Sequence, residues 1–314
     1  MAPTYLITGA TGGLGHSILN TLIPLLPSGT LFAGSSNPAK RQKLEAQGVG
    51  FRHCNFSDKE SLIKAFQGID RLFVVSVDEF DNDTRVRLHR NAIEAAEAAG
   101  VGHVWYSSLA FGGYGDSDVF FQKAHLDTEK LLKESKLTWT SVREAIYADA
   151  FPVFMNWYPT DPNQVLYLPS DPAVALADRE ELGEATAKLM LKGGFENQIV
   201  LLSGPNAFRY SDVVKVINET TGRNVKLEIV PKKEYVRKCA ENDEGGKNEA
   251  FFKAWAGMFD CMDKGDAATV SPTLSEVLER PAKDGLQVIK ELLKKDRNFT
   301  WHQNYVNREK VRVC

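Results

Sequence analysis

The sequence predicts an α/β protein, a doubly wound parallel sheet with a smaller, mostly helical C-terminal lobe. Three observations carry that prediction. The apolar run Tyr5-Leu6-Ile7 leads through Thr8-Gly9-Ala10-Thr11-Gly12-Gly13-Leu14-Gly15 into the amphipathic segment His16–Ile23, which reads as strand, glycine turn and helix. Short apolar runs then alternate with helical patterns on a regular beat. After Arg143 the beat breaks, and residues 151–175 hold five prolines among aromatics.

Taken in order, strands are expected at Tyr5–Thr8, Leu31–Gly34, Gly50–Cys54, Leu72–Val77, His103–Ser107 and Thr138–Arg143, each short, apolar and rich in β-branched or aromatic residues. Helical patterns lie between them at Gly13–Leu26, Pro38–Gln47, Asp58–Gln67, Thr84–Ala99 and Phe120–Ser135. Asn37-Pro38 offers a cap before a proline at the first helical position. Ser57 precedes Glu60 at capping-box spacing, and Gly48, Gly68 and Gly100 stand where helices should stop. Alternation of this kind implies right-handed crossovers and a Rossmann-type sheet. Beyond it, residues 151–175 read as loop and short strands. Asp178 opens a helix to Leu191, Gln198–Ser203 reads as one more strand, and the chain from Tyr210 is mostly helical. The expected organisation is a dinucleotide-binding unit over 1–150 and a substrate-binding lobe over 151–314, with a return to the sheet near 198–204.

Composition narrows the function. With 314 residues, 43% apolar and 25% charged, the chain has the make-up of a globular protein with a large core. A net charge of −3 with scattered cations argues against nucleic acid. The stretch Leu22–Leu26 carries a proline and is far short of the ~20 apolar residues that span a bilayer. The N-terminus runs straight into a strand, with no signal-type segment. Cys54, Cys239, Cys261 and Cys314 have no metal or redox spacing, so reduced thiols and a cytoplasmic setting are expected, with no metal site. A monomer and a homodimer are both compatible with the sequence.

The opening turn is Gly9-x-x-Gly12-x-x-Gly15. It turns backbone N–H groups and a helix N-terminus toward a diphosphate, through Gly9, Thr11, Gly12, Gly13, Leu14 and Gly15. After the second strand, Ser35, Ser36, Lys40 and Arg41 stand where an acid would hold the ribose of NAD. Hydroxyls and cations there suit a 2′-phosphate, so NADP is expected, with NAD as the alternative. Asn55 and Phe56 follow the third strand, where they meet an adenine or form a turn. Ser76-Val77 and Ser107-Ser108 follow the fourth and fifth strands on the same carboxyl edge, where ligands of open α/β sheets bind.

The glycine turn, Asn37-Pro38-Ala39-Lys40, Tyr106-Ser107-Ser108-Leu109 and His125-x-x-x-Glu129-Lys130-x-Leu132 together resemble the NmrA-like family of atypical short-chain dehydrogenases/reductases, most of all its type-2 NAD(P)H:quinone oxidoreductases. The resemblance spans residues 4–290 and is strongest over the first 150; the tail from Phe299 lies outside it. It implies that Arg143-Glu144-Ala145-Ile146-Tyr147 lies beside the nicotinamide, with Ala145 and Tyr147 in contact. Only Arg143 and Tyr147 of that pattern are shared, and the quinone reductases have Arg in place of Ser36. It further implies that His125 stands where many relatives carry a helix lysine; a histidine there can bond ribose hydroxyls and move a proton, or simply lies on a polar helix face.

None of the nine tyrosines has Lys four residues on, so the proton-donating pair of ordinary short-chain dehydrogenases is absent. A ketone would need such an acid, because hydride turns it into a strongly basic alkoxide. A quinone or an iminium needs it less. Tyr147 remains as a donor or as packing over the nicotinamide. Tyr114, in Gly112-Gly113-Tyr114-Gly115, suggests a lid or a surface turn. Phe151, Phe154, Trp157, Tyr158, Phe251, Phe252, Trp255 and Phe259 offer surfaces for a flat substrate or belong to the core. The reading is an NADPH-preferring reductase of a planar aromatic or conjugated small molecule: a quinone or an iminium-type secondary metabolite. The alternatives are a nucleotide-ratio sensor acting on a protein partner, for which the tail Trp301–Tyr305 is the candidate surface, and a cofactor-dependent cyclase or isomerase.

Overall fold

In the computed structural model, which describes residues 2–241 and 243–305, seven parallel strands form one sheet in the order β3-β2-β1-β4-β5-β6-β9. The strands are β1 (Tyr5–Ile7), β2 (Leu31–Ser35), β3 (Gly50–His53), β4 (Arg71–Val74), β5 (His103–Leu109), β6 (Trp139–Glu144) and, after a long excursion, β9 (Gln198–Leu202). Crossover helices join them: α1 (Gly13–Leu22), α2 (Arg41–Glu45), α3 (Lys59–Phe66), α4 (Asn82–Ala99), α5 (Gln122–Glu134) and α7 (Arg179–Lys192). The strand order reverses between β1 and β4, so a crevice opens at their carboxyl ends, the usual ligand position in such sheets.

Two cores sandwich the sheet. Leu14, Ile18 and Leu22 of α1 meet Leu182 and Leu189 of α7 against Ile7, Phe73 and Val142 on one face. Leu62, Phe66, Ile93 and Leu132 cover Leu6, Leu72, Val104 and Tyr106 on the other. Burying each large apolar side chain stabilises the fold by about 1.5–3 kcal/mol. A third core builds the C-terminal half around Trp157, Phe252 and Phe259. That half comprises α6 (Phe151–Met155), β7 (Val165–Leu168), β8 (Ala173–Val174), β10 (Phe208–Arg209), α8 (Tyr210–Thr221), β11 (Lys226–Ile229), α9 (Lys232–Ala240), α10 (Glu249–Asp263), α11 (Thr273–Leu278) and α12 (Gly285–Lys295).

The departures from expectation are local. The opening helix ends at Leu22 rather than Leu26, because Pro24 brings no N–H to the ladder. The fourth strand stops at Val74, since the Thr8 hydroxyl takes the next N–H, that of Val75, at 2.9 Å. Ser57 does not cap α3; Asp58 does, accepting from Ser61 N–H at 3.1 Å. Pro38–Lys40 forms a 3₁₀ turn before α2, with Asn37 accepting from Ala39 N–H as expected. A five-residue helix, α6, stands in the stretch read as loop and strand. Among the described residues no helix is long and apolar enough to cross a membrane, and no cluster of His, Cys, Asp or Glu suits a metal.

Candidate functional site

The glycine turn bends where the sequence places it. Gly9 has φ +58°, which favours glycine, and a Cβ on Gly15 would collide with the Gly9 carbonyl. Helix α1 therefore starts directly on the sheet edge. Its N-cap is Gly12, with no side-chain cap and no acid in its first turn. By contrast, α3, α4, α7, α10 and α12 are each capped by an Asp or Asn side chain. The first-turn N–H groups of α1 are thus left for an anion, which the helix dipole favours.

Cations gather around that terminus. A cavity of about 170 Å³ is lined by Ala10, Thr11, His16, Lys40, Lys43, Leu44 and Gln47. Neither Lys40 nor Lys43 forms an ion pair among the described residues. Arg41, expected beside Lys40, turns away, its guanidinium 4.7 Å from the Phe51 ring centre and 3.5 Å from Glu45. Lys43 takes that place instead. Ser35 spends its hydroxyl on the Asn37 N–H at 3.2 Å, and the Ser36 carbonyl meets His53 at 3.2 Å.

On the other side of the turn, the Arg179 guanidinium rests against Gly13, where any Cβ would strike it. It pairs with Asp149 and lies 5.7 Å from the Tyr147 ring centre. Backbone bonds between Ile146, Ala148 and Ala177 bring the start of α7 beside Tyr147. In the sequence Arg179 shows only as the residue after Asp178 in a helix opening. A cation in a helix's first turn opposes the dipole and so needs an outside partner, which was the signal available.

The expected residues of the β4 and β5 ends divide between the two faces of the sheet. Ser107 accepts from Ser76 N–H at 2.8 Å, and His89 accepts from Val77 N–H at 3.1 Å, so this edge is held by its own polar groups. Ser108 points to the opposite face and donates to Glu129 at 2.7 Å. It therefore braces the sheet rather than the expected cofactor edge. His125 lies on the buried face of α5, 6% exposed, bonded to the Tyr106 hydroxyl at 2.8 Å. Burial, with Arg85, His89 and Arg143 nearby, holds its pKa well below 6.5. It is held as a neutral hydrogen-bonding group at pH 7. Asn55 Oδ1 accepts from Ser57 N–H at 3.0 Å and so forms a turn, and the Phe56 carbonyl accepts from Asn91 at 2.9 Å.

Glu144 and Tyr147 close the carboxyl end of β6. Ala145 is buried between them, on the core beneath α1 and α7. The Tyr147 hydroxyl donates to Glu144 Oε2 at 2.7 Å. Burial raises Glu144 to about 8, against the Tyr147 hydrogen bond and the Arg179 charge. Tyr147 packs at once against the sheet-face core and the C-terminal core, at their seam. Of the aromatics expected in the wall, Phe151, Trp157, Phe252 and Phe259 are wholly buried core, and Tyr158 and Trp255 are nearly so; Phe154 and Phe251 are half-buried beside Trp255. The loop carrying Tyr114 is pinned by Arg143, which donates to the Gly113 and Gly115 carbonyls at 2.9 and 2.6 Å, although Tyr114 itself is 60% exposed. The tail docks on its own chain: Lys247 donates to Asn304 at 2.7 Å, and Gln303 donates to Asp78 at 3.1 Å. Residues 306–314, Cys314 among them, lie outside the described residues.

A doubly wound sheet whose first helix presents an uncapped N-terminus, ringed by cations at the switch point, defines a dinucleotide-fold protein. The NmrA-like family model matches residues 1–276, and the chain belongs to that family. It is 43% identical over 307 residues to an NmrA-like family domain-containing oxidoreductase of Aspergillus flavus, covering 97% of this chain and 99% of the relative. Its fold matches the NADPH-dependent quinone oxidoreductase QOR2 of Escherichia coli, solved with NADPH, with TM-score 0.82, 26% identity and coverage of 92% and 100% of the two chains. It also matches the Citrobacter triphenylmethane reductase, solved with NADP(H), with TM-score 0.78, 27% identity and coverage of 92% and 99%.

Proposed function

We propose that the protein is an NADPH-preferring oxidoreductase that passes hydride to a planar, conjugated electrophile such as a quinone or an iminium-type compound. The observation that carries the reading is the α1 N-terminus, bare of caps and acids, between the Lys40/Lys43 cavity and Arg179. The first-turn N–H groups from Gly13 on and the Arg179 guanidinium hold the diphosphate. Lys40 and Lys43 hold the 2′-phosphate in place of the arginine that the quinone reductases carry at Ser36. NADPH supplies a hydride when bound. Ala145 and Tyr147 then stand beside the nicotinamide, and Phe154 and Phe251 supply flat apolar surface to the acceptor. The relatives named above support the same reading, through an oxidoreductase, a quinone reductase and a dye reductase.

Most of the catalytic work falls to positioning and to exclusion of water. The test is purified protein with NADPH and a panel of quinones, followed at the nicotinamide absorbance. Oxidation of NADPH faster than of NADH is expected. Tight NADPH binding with no oxidation by any acceptor would show a nucleotide sensor instead.

A further inference from the structure

Glu144 is 1% exposed, and its Oε1 has no hydrogen-bond partner, while Oε2 is held by the Tyr147 hydroxyl. A buried carboxylate with a bare oxygen is poorly stabilised; a buried carboxylic acid asks for far less. The charge that acts on Glu144 is Arg179 from α7; Arg179 and Asp149 act on Tyr147, and Asp178 and Glu180 act on Asp149. The residues paired with Glu144 on the neighbouring strands, Leu109 and Leu202, are apolar. The Tyr147 hydroxyl is the hydrogen-bond partner of the Glu144 side chain, and Tyr147 itself is half-buried at the seam of the two cores.

We propose that Glu144 is a carboxylic acid that refills the Tyr147 hydroxyl with a proton as that hydroxyl protonates the reduced acceptor. The inference rests on the reductase reading above. Hydride arrives with its electron pair and leaves one negative charge on a quinone oxygen. The Tyr147 O–H bond breaks and an O–H bond forms on the product. For this the resting bond turns over, so that Glu144 Oε2–H donates to the Tyr147 oxygen and the Tyr147 proton faces the acceptor; the Glu144 O–H bond then breaks and the Tyr147 O–H bond re-forms. Glu144 is left as a carboxylate near the Arg179 charge and regains a proton from water after release, so each turnover consumes one hydride and one proton. Burial places Glu144 at about 8, so the acid form prevails at pH 7. Glu144 touches Tyr147 rather than the acceptor, which makes it a positioning and proton-supplying residue.

The test uses the full chain, menadione and crystal violet. Menadione takes a hydride and a proton; the dye cation takes a hydride alone and becomes neutral. In wild type, an infrared carbonyl band of a protonated carboxylic acid is expected at pH 7, absent in Glu144→Gln. Wild-type kcat for menadione falls as pH rises past about 8. In Glu144→Gln that limb vanishes, and the menadione-to-dye rate ratio drops by about 10²-fold, the ordinary size of general-acid assistance. Tyr147→Phe keeps the infrared band, and the double variant is no slower than the slower single one. The relay is overturned by wild type without the infrared band, by a Gln variant that keeps the menadione limb, or by equal loss of both probes. If wild type shows the band yet reduces neither probe, the reductase reading itself has failed.

Discussion

Arg143 and Glu144 are neighbours on one strand, yet they live in opposite worlds. Arg143 points to the α5 face and forks onto Glu129 at 2.9 and 2.7 Å, with Ser108 and Ser141 donating to the same carboxylate at 2.7 and 2.8 Å. Its remaining nitrogen, Nη1, donates to the Gly113 and Gly115 carbonyls, and Nη2 also lies 3.7 Å from Asp116. Burial alone would raise Glu129, but the Arg143 hydrogen bonds and charge, with the two serines, hold it below its usual value. Glu144 points to the α1 face and keeps one oxygen bare. Equal burial thus produces a permanent ion pair on one face and a titratable acid on the other. The difference lies in how many partners the tertiary structure supplies. A fully matched buried charge holds structure, and a half-matched one can change state.

The largest effect expected from this contrast lies on the matched side. Arg143→Met leaves Glu129 buried without its cation and should destabilise by about 3–5 kcal/mol. Thermal unfolding checks it; a melting temperature within a degree of wild type would dissolve the distinction between the faces.

Titration sharpens the comparison, because the buried histidines and Glu144 should respond to pH in opposite senses. His89, whose ring bonds Thr128 at 2.8 Å, is lowered to about 3 by burial and then by Arg85. His103 is lowered to about 4, chiefly by burial. Their contribution is present above the unfolded value near 6.5 and is lost as pH falls from there toward 4 and 3. Glu144 behaves conversely: its contribution is present below about 4.5 and is lost as pH rises through about 8. Between pH 6.5 and 5 the two histidines should cost about 3 kcal/mol while Glu144 returns about 2, so wild-type stability, read from denaturant midpoints, should fall by only about 1 kcal/mol. The variant Glu144→Gln should steepen the fall below pH 6.5, where the Glu144 gain no longer offsets the histidines, and flatten the decline from pH 6.5 to 8. An acid limb that disappears in this variant would contradict the assignment.

Two smaller effects belong to the cofactor edge. Gly13→Ala sets a methyl where the Arg179 guanidinium rests and should weaken NADPH by about tenfold, near 1.4 kcal/mol. Calorimetry measures it, and unchanged affinity would remove Arg179 and Gly13 from the diphosphate cradle. Lys43→Ala should weaken NADPH about fivefold and leave NADH unchanged. Equal losses for both nucleotides would place the lysine elsewhere than at a 2′-phosphate.

Much of the frame was readable because its signals are local. The apolar run before Gly9, the spacing to Gly15 and the alternation up to β6 each concern a few consecutive residues, and each element formed within a few positions of its expected bounds. The site was less readable. Ser107 and Ser108 look alike in the chain, but strand alternation sends only one of them to the crevice side. The bond of His125 to Tyr106 was not readable, because nothing nearby in the chain announces that partner. Arg179 reaches Gly13 from far along the chain, and no spacing rule links them.

The order of residues alone was enough to settle a parallel α/β frame and a helix start that welcomes an anion, since backbone geometry and hydrophobic periodicity act over short distances. Folding in three dimensions decided which polar side chains are matched and which are left wanting. Hydrogen-bond satisfaction, burial and hence charge state depend on partners that arrive from other strands and helices.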